Sequence, residues 1–163
     1  MSTEAGEEDV VRLIRHAKAG SRYDYVGDDR ERPLTAKGRA QADAIAERLA
    51  PLGITRLVAS PFLRCRQTLE ALAARCGLTV EPDARFAEGV SHHVVLEQLQ
   101  AMPSGAVACS HGDVIPAVID ALLRRGAELT AEPDPRKGAT WELHRVDGEF
   151  VRVHVVPPPP STS

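Results

Sequence analysis

Three short segments of the chain carry side chains that can act together on a phosphoryl group. Arg15 and His16 are adjacent, Arg64 lies in "SPFLRCRQT", and His111 lies in "CSHGD". Each segment directly follows a short apolar run. The set therefore supplies two imidazoles and two guanidiniums, which suits the binding and transfer of a phosphoryl group.

Each residue type has a role in that chemistry. Guanidiniums clamp a phosphate through paired hydrogen bonds and neutralise its charge. A neutral imidazole can attack phosphorus and carry the phosphate covalently, and neighbouring Arg charges disfavour the imidazolium form. The second imidazole would donate a hydrogen bond to a phosphoryl oxygen. Glu88 in "RFAEGVS" is the candidate general acid, because a bound phosphate would keep its carboxyl group protonated. The alternative is that Glu88 is an ordinary loop carboxylate.

Short apolar runs alternate with helical patterns along the chain. Strands are predicted over 10–14, 55–60, 77–81 and 105–110, and helices over 35–49, 61–73, 92–102 and 112–126. The segment 139–156 alternates on either side of Asp147-Gly148, which predicts a hairpin. This order predicts an α/β, three-layer αβα fold whose mostly parallel central sheet has helices on both faces. Ligands of such sheets bind beyond the carboxyl ends of the strands, where the three segments would meet.

Length and composition indicate one soluble domain. The 163 residues suit a single domain over 9–156, with a flexible N-terminal tail over 1–8 and a disordered Pro-rich tail over 157–163. The net charge of −3 does not favour a nucleic-acid or membrane surface. The 3 Cys lack CxxC spacing, and the N-terminus lacks the form of a signal peptide. We therefore expect a cytoplasmic protein without nucleic-acid or membrane partners.

Four motifs in the same order resemble the histidine phosphatase superfamily, whose fold is phosphoglycerate-mutase-like. They are "LIRHAKA", "RPLTAKG", "VASPFLRCRQT" and "CSHG", and the match covers about residues 10–155. The resemblance implies that His16 is the nucleophile and that Arg15, Arg64 and His111 form its phosphate pocket. It implies that Glu88 is the acid, although less directly. The function implied is a metal-independent phosphatase that needs no cofactor and works through a phosphohistidine on His16.

Departures from the usual motif narrow the resemblance. The Gly that usually follows Arg-His is Ala17 here, followed by Lys18. "RHAKA" resembles the small phosphohistidine-phosphatase branch. With "GDDRERPLT" and "RKGATWEL", the chain is even more similar to the phosphatase half of two-domain Nudix hydrolases, although it has no Nudix-like stretch. The expected substrate is a phosphorylated small molecule, a nucleotide or a phosphohistidine protein.

Four further cations are candidates for substrate binding. Lys18 would extend the positive site, or is a solvated loop lysine. Arg136 and Lys137 would line its mouth, or belong to an exposed turn in "DPRKG". Arg32 would reach the site from the long loop, or position that loop.

Other functions compete with the phosphatase hypothesis. A phosphate-binding regulatory module with weak catalysis would need the same pocket, and a phosphoglycerate-mutase-type phosphotransferase would share the nucleophile. A Ser-His-Asp hydrolase using Ser60 or Ser110 is disfavoured, because no GxSxG elbow is present. A zinc site at His92, His93 and His111 lacks a further ligand at suitable spacing.

Overall fold

The computed structural model describes residues 9–160, so the predicted tail over 1–8 lies outside the described residues, as does the stretch 161–163. The strands are β1 (Asp9–Arg15), β2 (Arg56–Ala59), β3 (Val80–Pro82), β4 (Ala106–Ser110), β5 (Glu128–Leu129), β6 (Thr140–Val146) and β7 (Glu149–Val156). The helices are α1 (Ala36–Leu49), α2 (Leu63–Cys76), α3 (His92–Ala101) and α4 (Val114–Arg124). Short 3₁₀ turns lie at Asp29–Glu31, Ala50–Leu52 and Ala84–Phe86.

The strands form one seven-stranded sheet in the order β3-β2-β4-β1-β6-β7-β5. β1, β2, β3 and β4 pair in parallel, whereas β6 runs antiparallel to both β1 and β7. Arg15 pairs with Ser110, and Ala59 pairs with Cys109. The carboxyl ends of β1, β2 and β4 therefore meet at one edge of the sheet, as the strand order predicted.

Helices cover both faces of the sheet. Helices α1 and α2 pack Ile45, Leu49 and Leu69 against one face, while α3 and α4 pack against the other. Successive side chains along a strand point to opposite faces of the sheet, so each strand contributes to both cores. On β1, Leu13 packs on the side of α3 and α4, and Ile14 packs on the side of α1 and α2. Burial of one such large aliphatic side chain contributes about 1.5–3 kcal/mol. The predicted three-layer α/β fold is confirmed.

Local sequence signals account for several element ends. The Thr35 hydroxyl caps α1 by accepting the Gly38 N–H at 3.0 Å. Asp147 and Gly148 both have positive φ, 53° and 82°, which is the type I′ geometry of a two-residue hairpin turn. The predicted hairpin is therefore confirmed.

Helix α2 begins later than the sequence predicted. Pro61 was expected in its first turn, but the helix starts at Leu63. Ser60, the residue after β2, still pairs with β4, because its N–H donates to the Cys109 carbonyl at 3.0 Å. Phe62 is extended, and its N–H donates to the Ser60 hydroxyl at 3.3 Å. Arg64 still falls in the first turn of α2.

Two features were not foreseen. The two-residue strand β5 pairs in parallel with β7 and is too short for a periodic pattern to reveal. Pro157 lies in the predicted C-terminal tail, and its carbonyl accepts a hydrogen bond from Arg48 at 2.9 Å. Within residues 9–160, no helix is long and apolar enough to span a bilayer.

Candidate active site

His16 lies just beyond the end of β1 and is 6% exposed. Its backbone N–H donates to the Ser110 carbonyl at 3.1 Å, which ties the turn to the neighbouring strand. Its ring Nδ1 lies 2.8 Å from the Ala17 carbonyl oxygen. Because a carbonyl only accepts hydrogen bonds, Nδ1 carries the proton and Nε2 keeps a free lone pair.

The neutral form of His16 is strongly favoured. Burial is the main cause that lowers its pKa to about 3, and the charges of His111, Arg64 and Arg15 lower it further. The hydrogen bond to Ala17 opposes this shift but does not outweigh it. The sequence predicted that the Arg charges keep the ring neutral, but burial lowers the pKa of His16 more than those charges do.

His111 follows β4 and faces His16, with ring centroids 5.5 Å apart and planes at 67°. Its Nε2 lies 2.8 Å from the Ser60 hydroxyl and 3.5 Å from the Cys65 sulfur. These contacts fix the ring at the edge of the sheet. Ser60 is 0% exposed, so it is inaccessible as the nucleophile of a serine hydrolase even though it contacts a histidine.

Arg64 projects from the first turn of α2 and is 1% exposed. Nη1 donates to the Asp29 carbonyl at 2.9 Å, and Nη2 lies 3.2 Å from the Asp29 carboxylate and 3.3 Å from Glu88. Its Nε is buried without a partner among the described residues. Arg64 is thus a buried cation whose Nη1 and Nη2 are held by Asp29 and Glu88, while its Nε can still donate to an anion.

Arg15 lies against Gly112. A Cβ atom at Gly112 would approach the Arg15 Cζ to 2.6 Å, so only glycine leaves room for this guanidinium. Nη1 of Arg15 donates to the Pro135 carbonyl, and its Nε is buried without a partner within residues 9–160. Burial lowers the pKa of Arg15.

Glu88 follows the 3₁₀ turn at Ala84–Phe86 and reaches the same cavity. Oε1 contacts Arg64, and Oε2 accepts a hydrogen bond from Arg22 at 3.1 Å. The Asp113 carboxylate accepts the Gly89 N–H at 2.8 Å and so fixes the loop that carries Glu88. The candidate acid thus lies beside the guanidinium of Arg64.

A cavity of about 610 Å³ joins these groups. Its wall includes five cations, namely Arg15, Arg22, Arg32, Arg64 and Lys137, and two acids, Glu88 and Asp113. Burial lowers the pKa of Lys137, and the charges of Arg15, Arg32, Lys18 and Arg64 lower it further. The lining therefore carries a net positive charge, which favours an anionic ligand.

The structure brings together most, but not all, of the residues singled out from sequence. His16, His111, Arg15, Arg64, Glu88, Arg32 and Lys137 all line the cavity. Lys18 is exposed and outside the lining, where its backbone contacts Gln41 and Thr35. Arg136 also lies outside and pairs with Asp134 at 2.7 Å in the exposed turn. Arg32 lines the cavity and holds its own loop by donating to Asp29 and Gly20.

Sequence reasoning missed three residues of the site, namely Arg22, Asp29 and Asp113. Arg22 and Asp29 belong to the long loop after β1, whose path no periodic pattern predicts. Asp113 directly follows Gly112 in "SHGD", and this proximity to His111 was the one available signal. Among residues 9–160, no group of three or more His, Cys, Asp or Glu side chains could hold a metal ion.

A family profile confirms the resemblance noted in the sequence. The profile of the histidine phosphatase superfamily (branch 1) matches residues 11–94. An 8-oxo-(d)GTP phosphatase of Mycolicibacterium smegmatis is 37% identical over 156 residues, which cover 92% of this chain and 48% of that protein. The chain thus spans about half the length of this relative.

Solved structures share the fold. A protein histidine phosphatase SixA complexed with tungstate superposes with a TM-score of 0.70 at 24% identity, covering 86% of this chain and 91% of that one. A mycobacterial glucosyl-3-phosphoglycerate phosphatase gives a TM-score of 0.66 at 19% identity, covering 90% of this chain and 97% of that one. With His16, Arg64 and His111 gathered at one edge of a phosphoglycerate-mutase-like sheet, the chain belongs to the histidine phosphatase superfamily.

Proposed function

We propose that the protein is a metal-independent phosphatase that hydrolyses a phosphate ester or phosphoramidate through a phosphohistidine on His16. One observation carries the proposal: the hydrogen bond from His16 Nδ1 to the Ala17 carbonyl leaves Nε2 unprotonated in a cationic cavity. An unprotonated ring nitrogen beside phosphate-binding guanidiniums is an activated nucleophile.

The first step forms the phosphoenzyme. The Nε2 lone pair of His16 attacks phosphorus, and the bond between phosphorus and the leaving atom breaks; that atom is oxygen in an ester and nitrogen in a phosphoramidate. Glu88 donates a proton to the leaving atom, while Arg15, Arg64 and His111 stabilise the charge on the phosphoryl oxygens. The alcohol or nucleotide product then departs and leaves phosphohistidine.

The second step restores the enzyme. A water molecule gives a proton to the Glu88 carboxylate and attacks phosphorus, and the P–N bond breaks. Inorganic phosphate leaves, and His16 regains its Nε2 lone pair with the proton still on Nδ1. Arg15, Arg64 and His111 stabilise the charge on the phosphoryl oxygens in this step as in the first.

The substrate that we propose is a nucleoside di- or triphosphate. Five cations against two acids in the lining favour a ligand with several negative charges, and 610 Å³ is in the size range of small-molecule sites. The relative that matches 92% of the chain carries the name 8-oxo-(d)GTP phosphatase, which supports the same class.

A phosphohistidine protein is the second candidate substrate. In the loop after β1, Tyr23 lines the cavity and is 92% exposed, and Val26 of the same loop is also 92% exposed. Exposed apolar side chains at a site mouth favour contact with another macromolecule.

A phosphate-release assay tests the proposal. Nucleoside di- and triphosphates, glycerol phosphate and a phosphohistidine protein are compared with wild type, His16→Ala and His93→Ala, a control at an exposed histidine on α3. We expect turnover by wild type and His93→Ala and none by His16→Ala. Equal rates for wild type and His16→Ala would refute the mechanism. Phosphate binding without turnover would instead indicate the regulatory module.

A further inference from the structure

A second cavity lies directly beside the active-site cavity. Its volume is about 190 Å³, and Arg15 and Gly112 belong to the walls of both cavities. The remaining wall is mostly apolar and comes from one face of α4, from β5 and β6 and from the loop between them: Ile115, Pro116, Ile119, Leu123, Leu129, Pro133, Pro135 and Trp141. The one carboxylate in the lining is that of Asp120.

The size and lining of this cavity suit a flat heterocycle. An apolar cavity of about 150 Å³ is enough to bind benzene. The cavity here is larger and remains connected to solvent at its rim, where Pro116 and Asp120 are exposed. An aromatic base could therefore place its apolar faces against α4 and Trp141 while its polar edge stays near water.

Arg15 connects the two cavities. Its guanidinium lies against the Cα of Gly112, and its Nη1 donates to the carbonyl of Pro135, which belongs to the wall of the apolar cavity. If a phosphoryl group binds to one side of Arg15, the rest of the molecule that carries it can therefore reach the apolar cavity. A molecule that carries both a phosphate and an apolar ring can occupy the two cavities at once.

Asp120 adds a preference for one kind of ring. An ionised carboxylate can only accept hydrogen bonds, and it complements two adjacent N–H donors. Guanine presents a ring N–H and an exocyclic amine side by side, whereas adenine presents an amine next to a ring acceptor. The rim of the cavity thus favours a guanine-type base.

From this arrangement we infer that the cavity between α4, β6 and residues 129–135 binds the base of a nucleotide whose phosphate occupies the active site, with Asp120 accepting hydrogen bonds from the base. The inference rests on the proposed function and names the substrate more closely. It also explains why an apolar cavity adjoins so strongly cationic a site.

Trp141 provides a direct readout of binding. It is the single Trp of the chain, and it lines the apolar cavity but not the active-site cavity. His16→Ala prevents turnover, so its Trp fluorescence can be titrated with guanosine diphosphate, adenosine diphosphate and inorganic phosphate. We expect a saturable change with both nucleotides, tighter binding of the guanine nucleotide, and no change with inorganic phosphate.

Two variants of α4 then locate the base. Added to His16→Ala, Asp120→Asn should weaken binding of guanosine diphosphate about 10-fold and leave adenosine diphosphate unaffected, because it removes the charged acceptor. Leu123→Phe, at a half-buried wall position, should fill the cavity and weaken both nucleotides. Glu47→Gln, an exposed acid on α1, is the matched control and should change neither.

The outcomes separate the two claims. If wild type hydrolyses guanosine diphosphate but neither α4 variant changes its binding, the inferred base site is wrong and the proposed function stands. If wild type hydrolyses glycerol phosphate and no nucleotide, the nucleotide substrate and the base site are both wrong. If wild type hydrolyses both nucleotides but neither changes the Trp141 fluorescence of His16→Ala, the base does not bind in this cavity and the inference is overturned.

Discussion

The guanidinium of Arg15 lies in the space that a side chain at Gly112 would fill, so that a Cβ there would come within 2.6 Å of Cζ and 2.7 Å of Nη2. Gly112→Ala therefore requires the Arg15 guanidinium to move from its present position against the Cα of Gly112. A misplacement of about 1 Å at a reacting centre can reduce the rate about 10²-fold, and we expect a loss of that order in kcat/KM. Steady-state phosphate release measures it.

A double-mutant cycle checks that Arg15 transmits this effect. In the Arg15→Ala background the clash no longer exists, so Gly112→Ala should cost little more activity. If the free-energy costs of the two single substitutions to kcat/KM simply add, Gly112→Ala does not act through Arg15.

Lys137 and Arg136 are adjacent, but only Lys137 lines the active-site cavity, while Arg136 pairs with Asp134 in the exposed turn. Lys137→Ala should raise KM for a phosphorylated substrate roughly 10-fold, because a charged hydrogen bond to phosphate is lost. Arg136→Ala is the matched control and should leave KM unchanged. Equal effects of the two substitutions would contradict the placement of Lys137 alone in the cavity wall.

Glu88 is assigned the proton transfers, so its effect should depend on the leaving group. Glu88→Gln should slow hydrolysis of an alkyl phosphate by about 10²–10⁴-fold and that of p-nitrophenyl phosphate far less, because nitrophenolate leaves without a proton. Asp113→Asn keeps an oxygen for the Gly89 N–H and should affect both substrates by the same factor. If Asp113→Asn shows the leaving-group dependence instead, Asp113 is the acid.

The buried neutral ring of His16 should make stability depend on pH. Its pKa falls to about 3 in the folded protein, from an ordinary value near 6.5, chiefly because of burial. Between these pH values the unfolded chain binds a proton that the native protein does not, so the stability of wild type falls as pH falls. His16→Asn should lack this component, which approaches about 1.4 kcal/mol per pH unit.

Urea unfolding of both proteins at several pH values between 7 and 4 measures the difference. Parallel pH dependences in the two proteins would show that His16 is not held neutral by the fold.

The sheet, and the meeting of Arg15, Arg64 and His111 at its edge, could be predicted because local patterns encode the strands and helices. Alternating strand and helix periodicities fix the layers, and parallel strands bring their carboxyl ends together. Arg15 ends β1, His111 directly follows β4, and Arg64 lies in the first turn of the helix that comes after β2. Their convergence therefore followed from topology once the strands were assigned.

Other parts of the site depend on loop paths and packing, which no periodic pattern encodes. Lys18 follows His16 by two residues yet lies outside the cavity lining, while Arg22, four residues further on, reaches Glu88. The apolar cavity beside Arg15 likewise arises where α4 packs next to β6, and neither segment alone reveals it.

The covalent intermediate tests the central claim most directly. Wild type, His16→Asn and His93→Ala are mixed with substrate labelled with ³²P on the transferred phosphoryl group, quenched in alkali and analysed for bound label. The account predicts label in wild type and His93→Ala that survives alkali, is released by acid and maps to His16, with none in His16→Asn. Label of equal amount in His16→Asn, or an acid-stable label in wild type, would contradict it.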